Sequence, residues 1–155
     1  MIDMGEILEK IKTHRNRVIV INEHNSKKYK DYCKENNIKI IDFSLKLSEL
    51  LLPLSDIERE HEAWDVIKKW LKTLESSNNV IALDNLDYIF SPEVGNLDPI
   101  QNFNYCSRYI PQPIILFIDA KKRGNVLIYS KEGNPDHNEM EISTNEFVLG
   151  WEDEN

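Results

Sequence analysis

Lysines and a carboxylate surround the turn after the first apolar run of the chain, and this placement suggests phosphate binding. Val18–Ile21 are consecutive β-branched residues, typical of a strand buried on both faces, and a helix-compatible segment begins at Lys27. Backbone N–H groups and Lys28 would then lie at a helix N-terminus, an arrangement that binds phosphate. The segment from Asn22 to Tyr29 contains no glycine, however, and a P-loop needs glycines to close around phosphate oxygens.

The residues around Lys28 also depart from a phosphate-binding loop when this lysine is aligned with the lysine of a P-loop. The two glycine positions hold Asn22 and Lys27, and Tyr29 replaces the Ser or Thr that would ligate magnesium. Glu23 adds a negative charge where the triphosphate would lie. The alternative is a surface loop that contains lysines and binds no phosphate.

Two later apolar runs end in aspartate. Val80–Leu83 is followed by Asp84, as in a Walker B strand that brings an acid to the magnesium shell, although aspartates also end strands as turn residues. Asn85 stands where rapidly hydrolysing NTPases often have a glutamate, and an amide cannot act as a general base. Pro113–Ile118 precedes Asp119, whose charge makes it a poor sensor of a γ-phosphate. We predict no catalytic residue, an eroded nucleotide site, and Mg²⁺ at Asp84 only if nucleotide binds.

The elements that must position these residues alternate along the chain. Helices are predicted over Ile2–Thr13, Lys27–Asn36, Ser44–Leu52, from the capping box at Ser55, from Asp98, and over Thr144–Trp151; strands are predicted over Val18–Ile21, Ile38–Phe43, Val80–Leu83, Pro113–Ile118, Val126–Tyr129 and Met140–Ile142. The apolar runs are continuous, which favours a mainly parallel sheet with helices on both faces, an α/β fold. The loops that begin at Asn22, Asp84 and Asp119 are then expected to meet at one edge of the sheet.

The chain is predicted to form a single domain over residues 1–151, followed by an acidic tail at 152–155. After the capping box at Ser55, apolar residues at helical spacing predict a stripe that packs in the core, formed by Ile57, His61, Trp64, Ile67, Trp70, Leu71 and Leu74. The net charge of −8 argues against broad nucleic-acid binding, although a local basic patch is an option at Lys121–Arg123 or at Lys27 and Lys28 with Lys30. Cys33 and Cys106 are expected to be reduced thiols. With no apolar signal segment or membrane span, a cytoplasmic location is the default expectation.

The segment Asn79–Pro92, around Asp84 and Asn85, resembles the Walker B region of BrxF, the small P-loop protein family of BREX phage-defence systems. Further pieces of the likeness are Asp42–Arg59, Asp98–Gln101, Pro113–Ala120, Gly124–Tyr129 and Glu132–His137, so that it spans about Val18 to Ile142. The resemblance implies a P-loop fold, other proteins of the defence system as partners, and self-association as a further option. It does not extend to the glycine-rich Walker A loop that the family carries.

Three functions follow as hypotheses. The first is a pseudo-NTPase that assembles or regulates a BREX-type complex without a cofactor and without touching DNA directly. The second is a weak ATPase that binds ATP and Mg²⁺ and is completed by partners or self-association, with Arg108 as a candidate for donation in trans. The third is an unrelated regulatory or nucleic-acid-binding module.

Overall fold

The main sheet is parallel throughout and contains five strands. A computed structural model of the protein describes residues 3–74 and 79–152. The strands are β1 (Val18–Asn22), β2 (Ile40–Asp42), β3 (Ile81–Asp84), β4 (Ile114–Ile118), β5 (Lys121–Arg123), β6 (Val126–Tyr129), β7 (Asn138–Glu141) and β8 (Val148–Leu149). The main sheet has the order β2-β3-β4-β1-β8, and β5, β6 and β7 form a separate antiparallel sheet. The predicted α/β class with a mainly parallel sheet is confirmed.

Helices cover both faces of the main sheet, as predicted. They are α1 (Met4–Ile11), α2 (Lys27–Glu35), α3 (Phe43–Leu51), α4 (Asp56–Thr73) and α5 (Pro99–Ser107). In β1, Ile19 and Ile21 pack with α1 and α2, whereas Val18 and Val20 pack with the helices α3, α4 and α5 on the other face. Burial on both faces explains why the central strands are continuous apolar runs rather than alternating ones.

Local capping interactions set where several helices begin. The Ser55 hydroxyl accepts from the Glu58 N–H and the Glu58 carboxylate accepts from the Ser55 N–H, so the predicted capping box starts α4. Asp98 caps α5 in the same region as predicted. Asp42 caps α3 by accepting from the Leu45 N–H, which ends β2 earlier than the sequence suggests and turns Phe43 into the first residue of the helix.

The C-terminal segment forms a strand, so the helix predicted over Thr144–Trp151 is wrong. β8 pairs in parallel with β1, with Val20 opposite Val148, and the Val20 N–H donates to the Phe147 carbonyl at 3.0 Å. The open edge of β1 supplies unpaired backbone groups that a strand satisfies and a helix would not. Val148 and Leu149, rather than Val126–Tyr129 or Met140–Ile142, therefore supply the edge strand beside β1.

A buried pair of amides anchors this segment to the domain. The side chains of Asn104 and Asn145 donate to each other at 3.0 and 2.9 Å, and both are buried. The Asn145 amide also donates to the Val18 carbonyl at 3.4 Å. Because buried amides are costly when unpaired, this pair favours one placement of the chain before β8.

The stripe on α4 is only partly a core stripe. Ile67, Trp70 and Leu71 are buried, but Ile57 is 73% exposed and His61 is exposed. Ile57 and His61 face solvent, whereas Arg59 in the same turns donates to the Leu51 carbonyl and forms an ion pair with Glu93. The prediction that Ile57 and His61 pack in the core is wrong. Among the helices of residues 3–74 and 79–152, none combines the length and apolar character needed to cross a bilayer.

Candidate functional site

The carboxyl ends of four main-sheet strands meet at one edge, where the sequence predicted a site. Asn22 at the end of β1 lies in register with Ile118 at the end of β4, and Asp42 lies in register with Asp84. Parallel α/β sheets bind ligands outside this edge. Here the edge holds a crevice of about 220 Å³, which is lined by Glu23, Asp84, Asn85, Leu86, Asp87, Phe117 and Asp119.

Lys30 on α2 supplies the ammonium group at this crevice. Its Nζ lies 2.6 Å from Oε1 of Glu23 and 3.5 Å from Oδ2 of Asp84, and 5.1 Å from the centre of the Phe117 ring. The Lys30 side chain is 23% exposed, so solvent screens these contacts only in part. The charge that a phosphate-binding lysine would offer to a ligand is therefore directed at two carboxylates of the protein itself.

The turn after β1 directs its amide donors to the C-terminal segment. The side-chain N–H groups of Asn22 and Asn25 donate to the Gly150 carbonyl at 3.0 and 2.7 Å. Ser26 closes the short 3-10 turn of Glu23–Asn25 by donating its hydroxyl to the Glu23 carbonyl at 2.8 Å. The turn is thus held by internal hydrogen bonds and does not form the glycine-lined cradle of a P-loop.

The three residues from Lys27 to Tyr29 are directed away from Asp84. Lys27 forms an exposed ion pair with Asp31 at 2.8 Å, and the ammonium of Lys28 lies 5.1 Å above the Tyr29 ring. Tyr29 is buried in the core between the sheet and the helices α1 and α2. Of the residues predicted for an eroded nucleotide site, Asp84 and Asn85 line the crevice, and Asn22 lies at the adjoining strand end. Lys27, Lys28 and Tyr29 do not line it.

Asn85 braces two strand ends. Its side-chain N–H donates to Oδ1 of Asp42 at 2.9 Å, and its carbonyl accepts from the N–H of Ser44 at 2.9 Å and from the Ser44 hydroxyl at 2.6 Å. Its φ of 52° lies in the left-handed region, which asparagine tolerates better than most residues. These contacts give Asn85 a structural role, so its presence at this position does not require a catalytic one.

The alignment with a P-loop assigns the phosphate to Lys28 and leaves Lys30 only in a basic patch, although the sequence carries a signal that places Lys30 at the strand ends. Tyr29 and Cys33 are four residues apart and mark the buried face of α2. At about 100° per residue, Lys30 lies nearer to this face than Lys28 or Lys27 does. The side chain on the border of the buried face is the one that reaches the strand ends.

The crevice is dominated by negative charge. The carboxylates of Glu23, Asp84, Asp87 and Asp119 line it, and Oε2 of Glu23 is buried without a hydrogen-bond partner among the described residues. Within residues 3–74 and 79–152, no group of three or more His, Cys, Asp or Glu side chains has the geometry to hold a metal ion. A triphosphate placed here would meet like charges.

Two further candidates from the sequence have structural contacts. Arg108 donates from Nε and Nη2 to Oδ1 of Asn16 at 3.2 and 3.0 Å, near the amino ends of β1 and β4 and thus at the edge opposite the crevice. Trp151 is buried and donates its indole N–H to the Ala120 carbonyl at 3.0 Å. Arg108 therefore braces the fold, and Trp151 anchors the C-terminal segment.

Both cysteines are buried free thiols, and we expect them to be unreactive in the folded protein. Burial raises the pKa of Cys33 and that of Cys106 to about 11. At pH 8 the folded protein should react with a thiol reagent at least about a hundredfold more slowly than the protein in urea. The reason is that a pKa raised by two units lowers the fraction of reactive thiolate about a hundredfold. Fast labelling of the native protein would contradict this.

The same shift gives a pH dependence of stability. A thiol whose pKa is higher in the folded state stabilises the fold fully below its unfolded pKa, and this contribution is lost as the pH rises through the folded pKa. The free energy of unfolding should therefore fall between about pH 9 and pH 11. Urea melts at pH 8 and pH 10.5 measure it, with a Cys33→Ala, Cys106→Ala double variant as the control that lacks this part of the decrease.

Comparison of the chain with family models, curated proteins and solved structures finds no match in any of the three. The class that the fold defines is an α/β domain with a five-stranded parallel sheet flanked by helices. Its candidate site is a carboxylate-lined crevice at the carboxyl edge, with Lys30 as the cation between Glu23 and Asp84.

Proposed function

We propose that the chain is a P-loop-type domain that does not hydrolyse nucleotide and that assembles or regulates a bacterial BREX-type anti-phage defence complex. The order of the strands supports the P-loop part of this proposal. The turn rewritten between Asn22 and Tyr29 follows β1, Asp84 ends β3, and both open onto the same edge of the sheet with β4 between them. The BREX part rests on the resemblance of the segments between Val18 and Ile142 to BrxF.

The ion pairs of Lys30 with Glu23 and Asp84 are the main support for a domain that does not hydrolyse nucleotide. Phosphoryl transfer needs preorganised positive charge around the γ-phosphate. The ammonium of Lys30 lies 2.6 Å from Glu23 and 3.5 Å from Asp84, so a phosphate would have to displace one carboxylate and remain near the other. Asn85 offers no base, and its amide and carbonyl are engaged with Asp42 and Ser44.

The longer of these contacts favours the weak ATPase as a second candidate. At 3.5 Å, the Lys30–Asp84 contact leaves Asp84 at the mouth of the crevice, and its side chain is 29% exposed. A partner that drew Glu23 away would leave a lysine and an aspartate facing each other across a position open to Mg²⁺ and phosphate. This candidate requires turnover that appears only in the assembled complex.

Phosphate release and calorimetric titration with ATP and Mg²⁺ test the proposal on the purified chain, on Asp84→Ala and on Lys30→Ala. We expect no phosphate release above that of buffer, and any heat of ATP binding should be unchanged by Asp84→Ala. Lys28→Ala is the matched control, since Lys28 lies against Tyr29 and not against Asp84. Turnover that Asp84→Ala abolishes would replace the proposal with the second candidate.

A phage-plating assay tests the biological part. Removing the protein from its host should abolish protection against phage, whereas Asp84→Ala should retain it because no hydrolysis is required. Protection that is unaffected by removal of the protein would refute the role in defence. Protection lost in Asp84→Ala, with the variant folded by circular dichroism, would refute the non-catalytic role.

A further inference from the structure

A second and larger cavity lies between the turn after β1 and the small antiparallel sheet. Its volume is about 950 Å³, and it shares only Asp119 with the carboxylate-lined crevice. Its walls include Asp119, Lys121, Lys122, Ile128, Lys131 and Asp136. We call this cavity the lysine cleft. Its size is that of sites for small molecules, which run from roughly 300 to 1,000 Å³.

Three lysines, Lys121, Lys122 and Lys131, line the lysine cleft. Four of the 14 lysines of the chain, Lys12, Lys27, Lys30 and Lys46, form an ion pair with a described carboxylate. Across residues 3–74 and 79–152, none of the ion pairs involves Lys121, Lys122 or Lys131. Ammonium groups that line one cavity without a carboxylate partner repel one another, and an anion bound there relieves this repulsion.

The two carboxylates of the cleft are already engaged. Oδ1 of Asp119 lies 2.8 Å from Nε2 of His24, and Oδ1 of Asp136 accepts from the Ser130 hydroxyl at 2.6 Å. Neither is within ion-pair distance of a lysine of the cleft. The positive charge of the wall is therefore not neutralised by the acids beside it.

Strand pairing and an aromatic stack hold the wall that carries these lysines. β5 and β6 pair with Lys121 opposite Ile128, which places an apolar side chain beside a cation. The Tyr129 ring stacks on Phe90 with 3.7 Å between ring centres, and its hydroxyl donates to Asp87 at 3.0 Å. A preorganised wall with cations and an apolar position suits a ligand that has an anionic group and an organic part.

We propose that the lysine cleft binds a small phosphorylated molecule of about nucleotide size, with its phosphate held by Lys121, Lys122 and Lys131. Lysine binds phosphate as a point charge, and three of them match a group that carries two or more negative charges. A small anion is favoured over a nucleic acid because the net charge of −8 repels a long polyanion along its whole length. A compact ligand is affected mainly by charges within a screening length of about 8 Å.

Calorimetric titration of the full chain at low ionic strength, in a buffer free of phosphate, tests this site with two probes. Inorganic pyrophosphate measures the anion contribution, and AMP with adenosine as its uncharged counterpart measures the organic part. We expect a dissociation constant below about 1 mM for at least one charged probe, in the range of ordinary metabolite sites, and no binding of adenosine. Lys121→Gln and Lys131→Gln should each weaken binding about tenfold.

Lys39→Gln, which removes an equal charge from an exposed position between α2 and β2, is the matched control. Absence of binding by both charged probes would overturn the proposal, as would equal weakening by Lys39→Gln, which would indicate attraction by net charge alone. Asp84→Ala should leave binding unchanged. The two proposals are therefore separable. Phosphate release that depends on Asp84 would contradict the non-hydrolysing role, whereas absence of probe binding that depends on Lys121 and Lys131 would contradict the lysine cleft.

Discussion

Replacing Gly150 by alanine should lower the free energy of unfolding by about 3 kcal/mol. Gly150 has a φ of 93°, a left-handed conformation that costs other residues roughly 1–2 kcal/mol. An added Cβ would also lie 2.9 Å from the Cβ of Asn22 and 3.2 Å from its backbone nitrogen, so backbone must shift. Overpacking of this kind adds about 1–3 kcal/mol. Urea unfolding followed by circular dichroism measures the loss.

Gly133→Ala is a matched control for this prediction. Gly133 has nearly the same φ, 94°, but an added Cβ there would meet no atom within 4 Å. It should therefore show only the conformational cost, about 1 kcal/mol. Equal losses in the two variants would mean that the close approach of Gly150 to Asn22 does not limit stability.

The Gly150 substitution also probes the rewritten turn. The carbonyl of Gly150 accepts from both Asn22 and Asn25, so a shift of this residue withdraws an acceptor from two amides of the turn. We expect amide exchange at His24 and Asn25 to accelerate in Gly150→Ala more than exchange in α4 does. This would show that the C-terminal segment holds the turn in place.

Replacing Phe103 by alanine should cost about 4 kcal/mol, the largest loss we expect. Phe103 is fully buried on α5, and its ring contacts those of Phe43 and Trp64 at centre distances of 5.5 and 5.0 Å. Truncating such a residue loses its transfer free energy and leaves a cavity between α3, α4 and α5, for which typical costs are roughly 3–5 kcal/mol. Tryptophan fluorescence should change as well, since Trp64 loses a ring neighbour.

Tyr105→Ala on the same helix serves as the control for Phe103. Tyr105 is 46% exposed and contacts Tyr109 and Lys68 at the surface. Tyr105 lies on the same helix as Phe103 but is not buried, so the urea midpoint of the Tyr105→Ala variant should stay close to that of the unchanged protein. A comparable loss in both variants would show that α5, rather than the Phe103 cavity, determines the effect.

Much of the fold could be predicted because burial on both faces leaves a direct mark on the sequence. Val18–Ile21 and Ile114–Ile118 are apolar at every position, and both form central strands. The capping residues Ser55 and Asp98 act within a few residues of their partners, so their roles are visible locally. The strand Lys121–Arg123 was not predicted, since three adjacent charges carry no apolar pattern and pairing with β6 alone makes it a strand.

The C-terminal segment shows the limit of local patterns. Phe147, Val148, Leu149 and Trp151 are compatible with a helix or with a strand when only their spacing is considered. The open edge of β1 and the buried Asn104–Asn145 pair select the strand. Both partners lie far away in the sequence, so no window of neighbouring residues contains the deciding interaction.

The sequence by itself determined the class of the domain, the edge at which a site would lie, and the absence of a glycine-rich loop at that edge. Only the tertiary structure decided that Lys30, and not Lys28, faces Asp84, because the burial of Tyr29 and Cys33 sets the rotation of α2. It also decided that Lys121, Lys122 and Lys131 share one cavity. Covalent order specifies which charges a protein has, whereas packing of the apolar faces determines which of them come within a few ångströms of each other.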